Sequence, residues 1–206
     1  MFEEKLLATI ATSFTKEIIK EFKEVFNDVY DEFSQYIGKD VKAYLDKNKN
    51  KYSYIKTLLR GNTPTYLYEV YYPISLSHER KTYSTNSVSE LLKKTQYITI
   101  IGDAGSGKST LTKHLFLNSI VEKRNIPILV ELRYLNDSSQ DFEQFVRNII
   151  TMNKINQNSV ILERLLENGK FTFFLDGYDE IDQKTKKRTI NSLNNFINKY
   201  TKNNFI

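Results

Sequence analysis

Residues Gly102 to Ser109 read GDAGSGKS, a complete G-x-x-x-x-G-K-[ST] pattern. Few short patterns constrain a fold as strongly, because this one functions in a single setting. Its glycines must turn the backbone so that successive N–H groups point at one anion. The loop must also run into a helix whose positive end adds to the same field. The flanking sequence supplies that setting: Tyr97 to Ile101 (YITII) reads as a five-residue apolar strand, and helical periodicity runs from Lys108 to about Lys123. In such a loop the backbone of Gly102, Asp103, Ala104, Gly105, Ser106 and Gly107 cradles phosphates. Lys108 sets its ammonium against the β and γ phosphates, and Ser109 offers a hydroxyl to Mg²⁺. Thr110 adds a hydroxyl near the α-phosphate.

A second element lies about 70 residues downstream. Phe171 to Ile181 reads FTFFLDGYDEI, an apolar strand that delivers Asp176 at its carboxyl end, where open parallel sheets bind ligands. A carboxylate at that position holds the water shell of Mg²⁺. Asp179 and Glu180 follow, and either could orient or deprotonate an attacking water.

Between and around these two elements, strands alternate with helices. Ile128 to Leu132 reads as a buried strand. A helix opened by the cap pattern of Ser138 with Asp141 comes next, and a second helix closes at Gly169. After Phe171–Leu175, the spacing of Ile190, Leu193, Ile197 and Tyr200 predicts a further helix. The expected fold is α/β, a parallel sheet with helices on both faces. Arg133 ends a strand on the side of the candidate site, where surface or sheet-edge packing is the expected role and a catalytic one the alternative.

Upstream, Phe2, Leu6, Ile10, Phe14, Ile18, Phe22, Phe26, Val29, Phe33 and Ile37 recur at helical spacing, predicting one or two amphipathic helices up to about Leu45. The polar run Asp46–Lys51 breaks the pattern, and a short helix is expected from Tyr52 to Leu59. Tyr66 to Leu76 reads as an edge or irregular strand because of Pro73. The expected organisation is a helical module over residues 1–48 and a nucleotide-binding domain over 49–206.

Composition narrows the function classes. The chain has no cysteine, which excludes disulfides and thiolate metal sites and fits a cytoplasmic location. Its net charge of +5 comes from lysines scattered among carboxylates, a solvated surface with no clustered nucleic-acid footprint. No stretch has the roughly 18–20 apolar residues of a membrane span. His78 and His114 are isolated and are expected to be surface or packing residues.

The stretch FFLDGYDE resembles the modified Walker B motif of NACHT domains, members of the STAND class of P-loop NTPases. IPILVELRYLN (Ile126–Asn136) is similar to that family's second strand with its Leu-Arg-x-Leu ending, and GDAGSGKSTL and YEVYYPISLS also look like family members. The resemblance covers about residues 52–206. It implies a molecular switch that binds ATP or ADP with Mg²⁺, self-assembles on activation by a trigger ligand and acts in innate-immune or antiphage defence. By the same resemblance, Gly102 to Thr110 bind phosphates and Asp176 binds Mg²⁺. Because Gly177 stands where many P-loop ATPases keep a glutamate, Asp179 is the expected catalytic carboxylate, with Glu180 second. The family's strand order, 5-1-4-3-2, puts a fourth strand between the one that leads into the Gly102–Ser109 loop and the one that ends at Asp176. Asn203–Ile206 look like its first residues, so the sequence reads as truncated before the sensor part of that strand. Such a chain could bind nucleotide without turning it over. The rival readings are an AAA-type motor ATPase and a non-hydrolytic assembly scaffold.

Overall fold

A computed structural model describes residues 30–56, 60–123, 125–153, 155 and 158–206. The expected helical stripe before Tyr30 lies outside the described residues. Three parallel strands form the sheet: β5 (Ile126–Glu131), β6 (Phe171–Asp176) and β7 (Asn204–Phe205), in the order β5-β6-β7. Ahead of it come helix α1 (Tyr30–Tyr52), a short antiparallel pair β1 (Tyr54–Ile55) and β2 (Thr65–Tyr66), and the single turn α2 (Leu67–Val70). The hairpin β3 (Ser75–His78) and β4 (Lys81–Ser84) and helix α3 (Val88–Leu92) complete that region. Helices α4 (Lys108–Val121), α5 (Phe142–Met152), α6 (Ser159–Glu167) and α7 (Gln183–Lys199) surround the sheet.

Two consecutive residues of β6 show that both faces of the sheet are covered. A strand alternates its side chains between faces, so Phe174 meets Phe116 of α4 edge-on with centroids 5.9 Å apart, while Phe173 meets Phe196 of α7 at 5.3 Å on the other face. Phe142 of α5 joins Phe196 at 5.2 Å. All five of these rings are buried, each contributing up to about 1.5–3 kcal/mol by the area it removes from water. The expected α/β class, with helices on both faces of a parallel sheet, is the observed one.

The two residues of β7 occupy the expected slot. Phe205 pairs with β6 on one side and with Tyr97 on the other, through Ile98 N–H to Phe205 O (2.9 Å) and Phe205 N–H to Gln96 O (2.8 Å). The strand expected at Tyr97–Ile101 is realised only as this one bridge. Beyond Ile98 the segment finds no pairing strand among the described residues, and Ile101 is 89% exposed.

Other expectations need correction. The polar run Asp46–Lys51 stays helical inside α1. Val41, Tyr44, Leu45, Asn48 and Tyr52 form its buried stripe, and Asn48 is tolerated there because its Nδ2 donates to Tyr44 O at 2.9 Å. α1 thus passes residues 48 and 49 unbroken. The helix expected at 52–59 is replaced at Tyr54–Ile55 by β1; residues 57–59 are outside the described set. The strand expected at 66–76 is split by α2 and by an extended stretch at 71–74 around Pro73, whose ring removes a backbone donor. The cap of α5 is Asp141, not Ser138: Asp141 accepts from Gln144 N–H at 2.8 Å in a full capping box, while Ser138 O accepts from Arg188. α6 closes at Gly169 as expected, at φ +67°.

Candidate functional site

The site begins with the loop that enters α4. Gly105 (φ +77°) and Gly107 (φ +88°) both occupy the left-handed region, which costs a residue with a side chain roughly 1–2 kcal/mol. Gly102 is less constrained: a Cβ would lie 2.8 Å from Ser106 Oγ, which can rotate away. The left-handed backbone explains the glycines at 105 and 107, and a cradle of this kind is what a phosphate requires. Ser87, Asp141 and Asn158 cap α3, α5 and α6 with side-chain oxygens, but α4 starts from Gly107 with no side-chain cap. Its first N–H groups therefore remain available to an anion.

Two side chains of the first turn of α4 face the ends of the loop and of β6. Lys108 Nζ donates to Gly102 O (2.8 Å) and Asp103 O (3.0 Å), which folds the ammonium over the cradle, and it lies 3.8 Å from Asp179 Oδ2. Ser109 Oγ donates to Asp176 Oδ1 at 2.9 Å across 67 residues of sequence. Thr110 is half-buried on the same turn. The structure thus brings Lys108, Ser109, Asp176 and Asp179 together. Asp103, Ala104 and Ser106 are exposed on the loop, whose turn is closed by Ser106 N–H to Asp103 O at 3.2 Å.

Glu180 is directed elsewhere. Its Oε2 accepts from Arg133 Nη1 at 3.3 Å, and Arg133 Nη2 donates to Glu131 Oε1 at 2.6 Å. Glu131 and Asp176 are register partners at the ends of β5 and β6, so the guanidinium lies at the same carboxyl edge of the sheet. Hydrogen bonding with Tyr134, then the charges of Glu131 and Glu180, raise the Arg133 pKa further above its ordinary value.

Sequence reasoning missed Asn136. Its Nδ2 donates to Glu180 O at 2.9 Å, and its Oδ1 accepts from Asp182 N–H at 2.9 Å and from Thr185 Oγ1 at 3.3 Å. A lone asparagine after a strand gives no signal of this kind; only its place at the end of the Leu-Arg-x-Leu stretch hinted at it.

His114 is a packing residue, as expected. It stacks on Tyr71 at 4.4 Å, and its Nε2 lies 3.1 Å from Thr85 O. Burial lowers its pKa, and the Thr85 carbonyl opposes that shift.

A sequence profile described as Novel STAND NTPase 3 matches residues 80–206, which includes the glycine cradle, Asp176 and the start of β7. The chain belongs to this STAND NTPase family. Neither a curated protein nor a solved structure matches it significantly. As a STAND NTPase it is, at the coarse level, a nucleotide-dependent switch, with a glycine cradle and a hydroxyl–carboxylate pair suited to a nucleotide and a divalent cation. No helix among the described residues is long and apolar enough to cross a membrane.

Proposed function

We propose that this STAND NTPase is a switch of the NACHT kind, which binds ATP or ADP with Mg²⁺, hydrolyses ATP slowly and self-assembles in the ATP state. In this reading, residues 49–206 hold the nucleotide and residues 1–48 carry the output. The setting is the cytoplasm and the role is innate-immune or antiphage defence.

One observation carries the reading: the 2.9 Å contact of Ser109 Oγ with Asp176 Oδ1 beside the glycine cradle. Two hard oxygen donors, from the first turn of a helix and the end of a strand, suit a small divalent cation that keeps several waters. Mg²⁺ held by Ser109 and, through water, by Asp176 would neutralise phosphate charge. The chain's own groups do the rest. The backbone from Gly102 to Gly107 receives the phosphates, with Thr110 beside them. Lys108 exchanges the Gly102 and Asp103 carbonyls for phosphate oxygens.

Asp179 is the proposed catalytic carboxylate. Its side chain is 66% exposed and stands next to Lys108, so it can reach a water and accept its proton. Glu180, held by Arg133, is the second choice. Slow turnover fits a switch because the ATP state must outlive assembly. Contact with the γ-phosphate then biases one state over the other.

The test is thermal unfolding with and without Mg²⁺-ATP and Mg²⁺-ADP, alongside Lys108→Ala. Nucleotide at 100 times its Kd adds about 2.7 kcal/mol, roughly 5–10 °C for a chain of this size. A shift that Lys108→Ala abolishes supports the reading. No shift of the unsubstituted chain with either nucleotide overturns it. Fast turnover stimulated by a polymer substrate would replace it with the motor reading.

A further inference from the structure

Two 3₁₀ turns meet at the carboxyl edge of the sheet: Leu132–Leu135 after β5 and Tyr178–Glu180 after β6. The second carries two adjacent carboxylates, and its own backbone holds it weakly. Gly177 enters it at φ +78°, and its internal bonds are Glu180 N–H to Gly177 O at 3.0 Å and Ile181 N–H to Tyr178 O at 3.5 Å. All three residues of the turn are exposed.

The further hold comes from the turn after β5. The Asn136 side chain donates to Glu180 O and accepts from Asp182 N–H, so one amide grips the chain on both sides of Ile181. Its contact with Thr185 Oγ1 ties the same amide to the first turn of α7. Arg133 takes the Glu180 carboxylate at 3.3 Å. Glu180 is thereby fixed by main chain and side chain together, while the neighbouring Asp179 is left facing Lys108 at 3.8 Å.

We infer that Asn136 is a positioning residue: it sets the Tyr178–Glu180 turn so that Asp179, and not Glu180, faces Lys108 and the phosphate cradle. The inference rests on the proposed role of Asp179. An amide suits the task because a donor and an acceptor are needed at once. Aspartate offers acceptors only and would set a charge against the Glu180 carbonyl. Alanine offers neither.

The experiment uses the whole 206-residue chain and compares it with Asn136→Ala, Asn136→Asp and Asp179→Asn. Two quantities are measured: the Kd for Mg²⁺-ATP, and the single-turnover cleavage rate with protein in excess. Displacing a reacting group by an ångström costs on the order of 10²-fold in rate, so both Asn136 variants should cleave about 10²-fold more slowly. Their Kd should stay within about threefold, because the cradle is untouched. The split between rate and affinity separates positioning from general loosening, which would weaken both. Asn136→Asp preserves side-chain size, so it remains informative if the alanine variant does not fold.

Wild-type cleavage rates in both Asn136 variants, with Asp179→Asn inactive, would overturn the inference and leave the proposed role of Asp179 intact. Binding without cleavage by the unsubstituted chain, or undiminished cleavage by Asp179→Asn, would overturn both. Absence of any nucleotide binding would remove the proposed function itself.

Discussion

Asn203 is fully buried where α7 turns into β7, and replacing it with alanine should cost about 3 kcal/mol. Its Oδ1 accepts from Phe171 N–H at 3.1 Å, and its Nδ2 donates to Leu166 O at 2.7 Å and Tyr200 O at 3.0 Å. The three bonds are unequal. Each carbonyl keeps a backbone partner when the amide is removed, Gly169 N–H for Leu166 O at 3.2 Å and the residue's own N–H for Tyr200 O at 3.1 Å. Losing those two contacts costs roughly 0.5–1.5 kcal/mol each. Phe171 differs. Strand alternation turns its N–H towards β7, where Asn203 extends the ladder by one rung beyond Ile206 N–H to Phe173 O (2.9 Å). Without the amide that buried donor is orphaned, a penalty of about 1–3 kcal/mol. The sum is roughly 2–6 kcal/mol. With a urea m-value of about 2 kcal/mol/M, the unfolding midpoint should fall by about 1.5 M at unchanged slope. Tyrosine fluorescence reports the transition, since the chain has 14 tyrosines and no tryptophan. A midpoint shift under about 0.25 M, or some 0.5 kcal/mol, would refute the ladder argument.

Two further substitutions test other parts of the fold. Gly169→Ala places a Cβ 2.3 Å from Lys202 O in a left-handed backbone, so its loss of stability, read by urea unfolding, should exceed the about 1–2 kcal/mol of left-handed strain alone. His114→Gln removes a group whose folded pKa burial holds below the ordinary 6.5. The unfolded chain takes up this proton first as pH falls, so the stabilisation is complete above about 6.5 and is lost below it. The stability of the unsubstituted chain should fall relative to His114→Gln between roughly pH 7.5 and 5.5, and a constant difference across that window would contradict the burial of a neutral imidazole.

What could be read from the sequence was what a local rule dictates. The turn at Gly105 and Gly107 was legible because left-handed backbone admits little but glycine, and the place of Asp176 was legible because it closes an apolar strand. Their contact through Ser109 followed from those two placements. The misreadings arose where the tertiary setting decides. Asp46–Lys51 looked like a break because Asn48 and Tyr52 do not register as an apolar stripe, yet packing keeps the helix whole. Thr99–Ile101 have strand chemistry but lack a neighbour to pair with among the described residues. The Asn136 side chain makes its hydrogen bonds with residues 44–49 positions away, a distance no local pattern reports.

At the outer side of β5, Pro127 has no N–H to offer, and its carbonyl already accepts from the buried Tyr44 hydroxyl at 2.7 Å. Burial holds the Tyr44 pKa well above its usual value, so that hydroxyl keeps its proton at any physiological pH. This rim of the sheet is therefore closed at Pro127 to recruitment of a foreign strand. When copies of the chain gather, strand addition is blocked at that point, and assembly must proceed through side-chain surfaces or other edges. On the proposed reading of a switch that assembles when triggered, Tyr44 of α1 shuts this one route in advance.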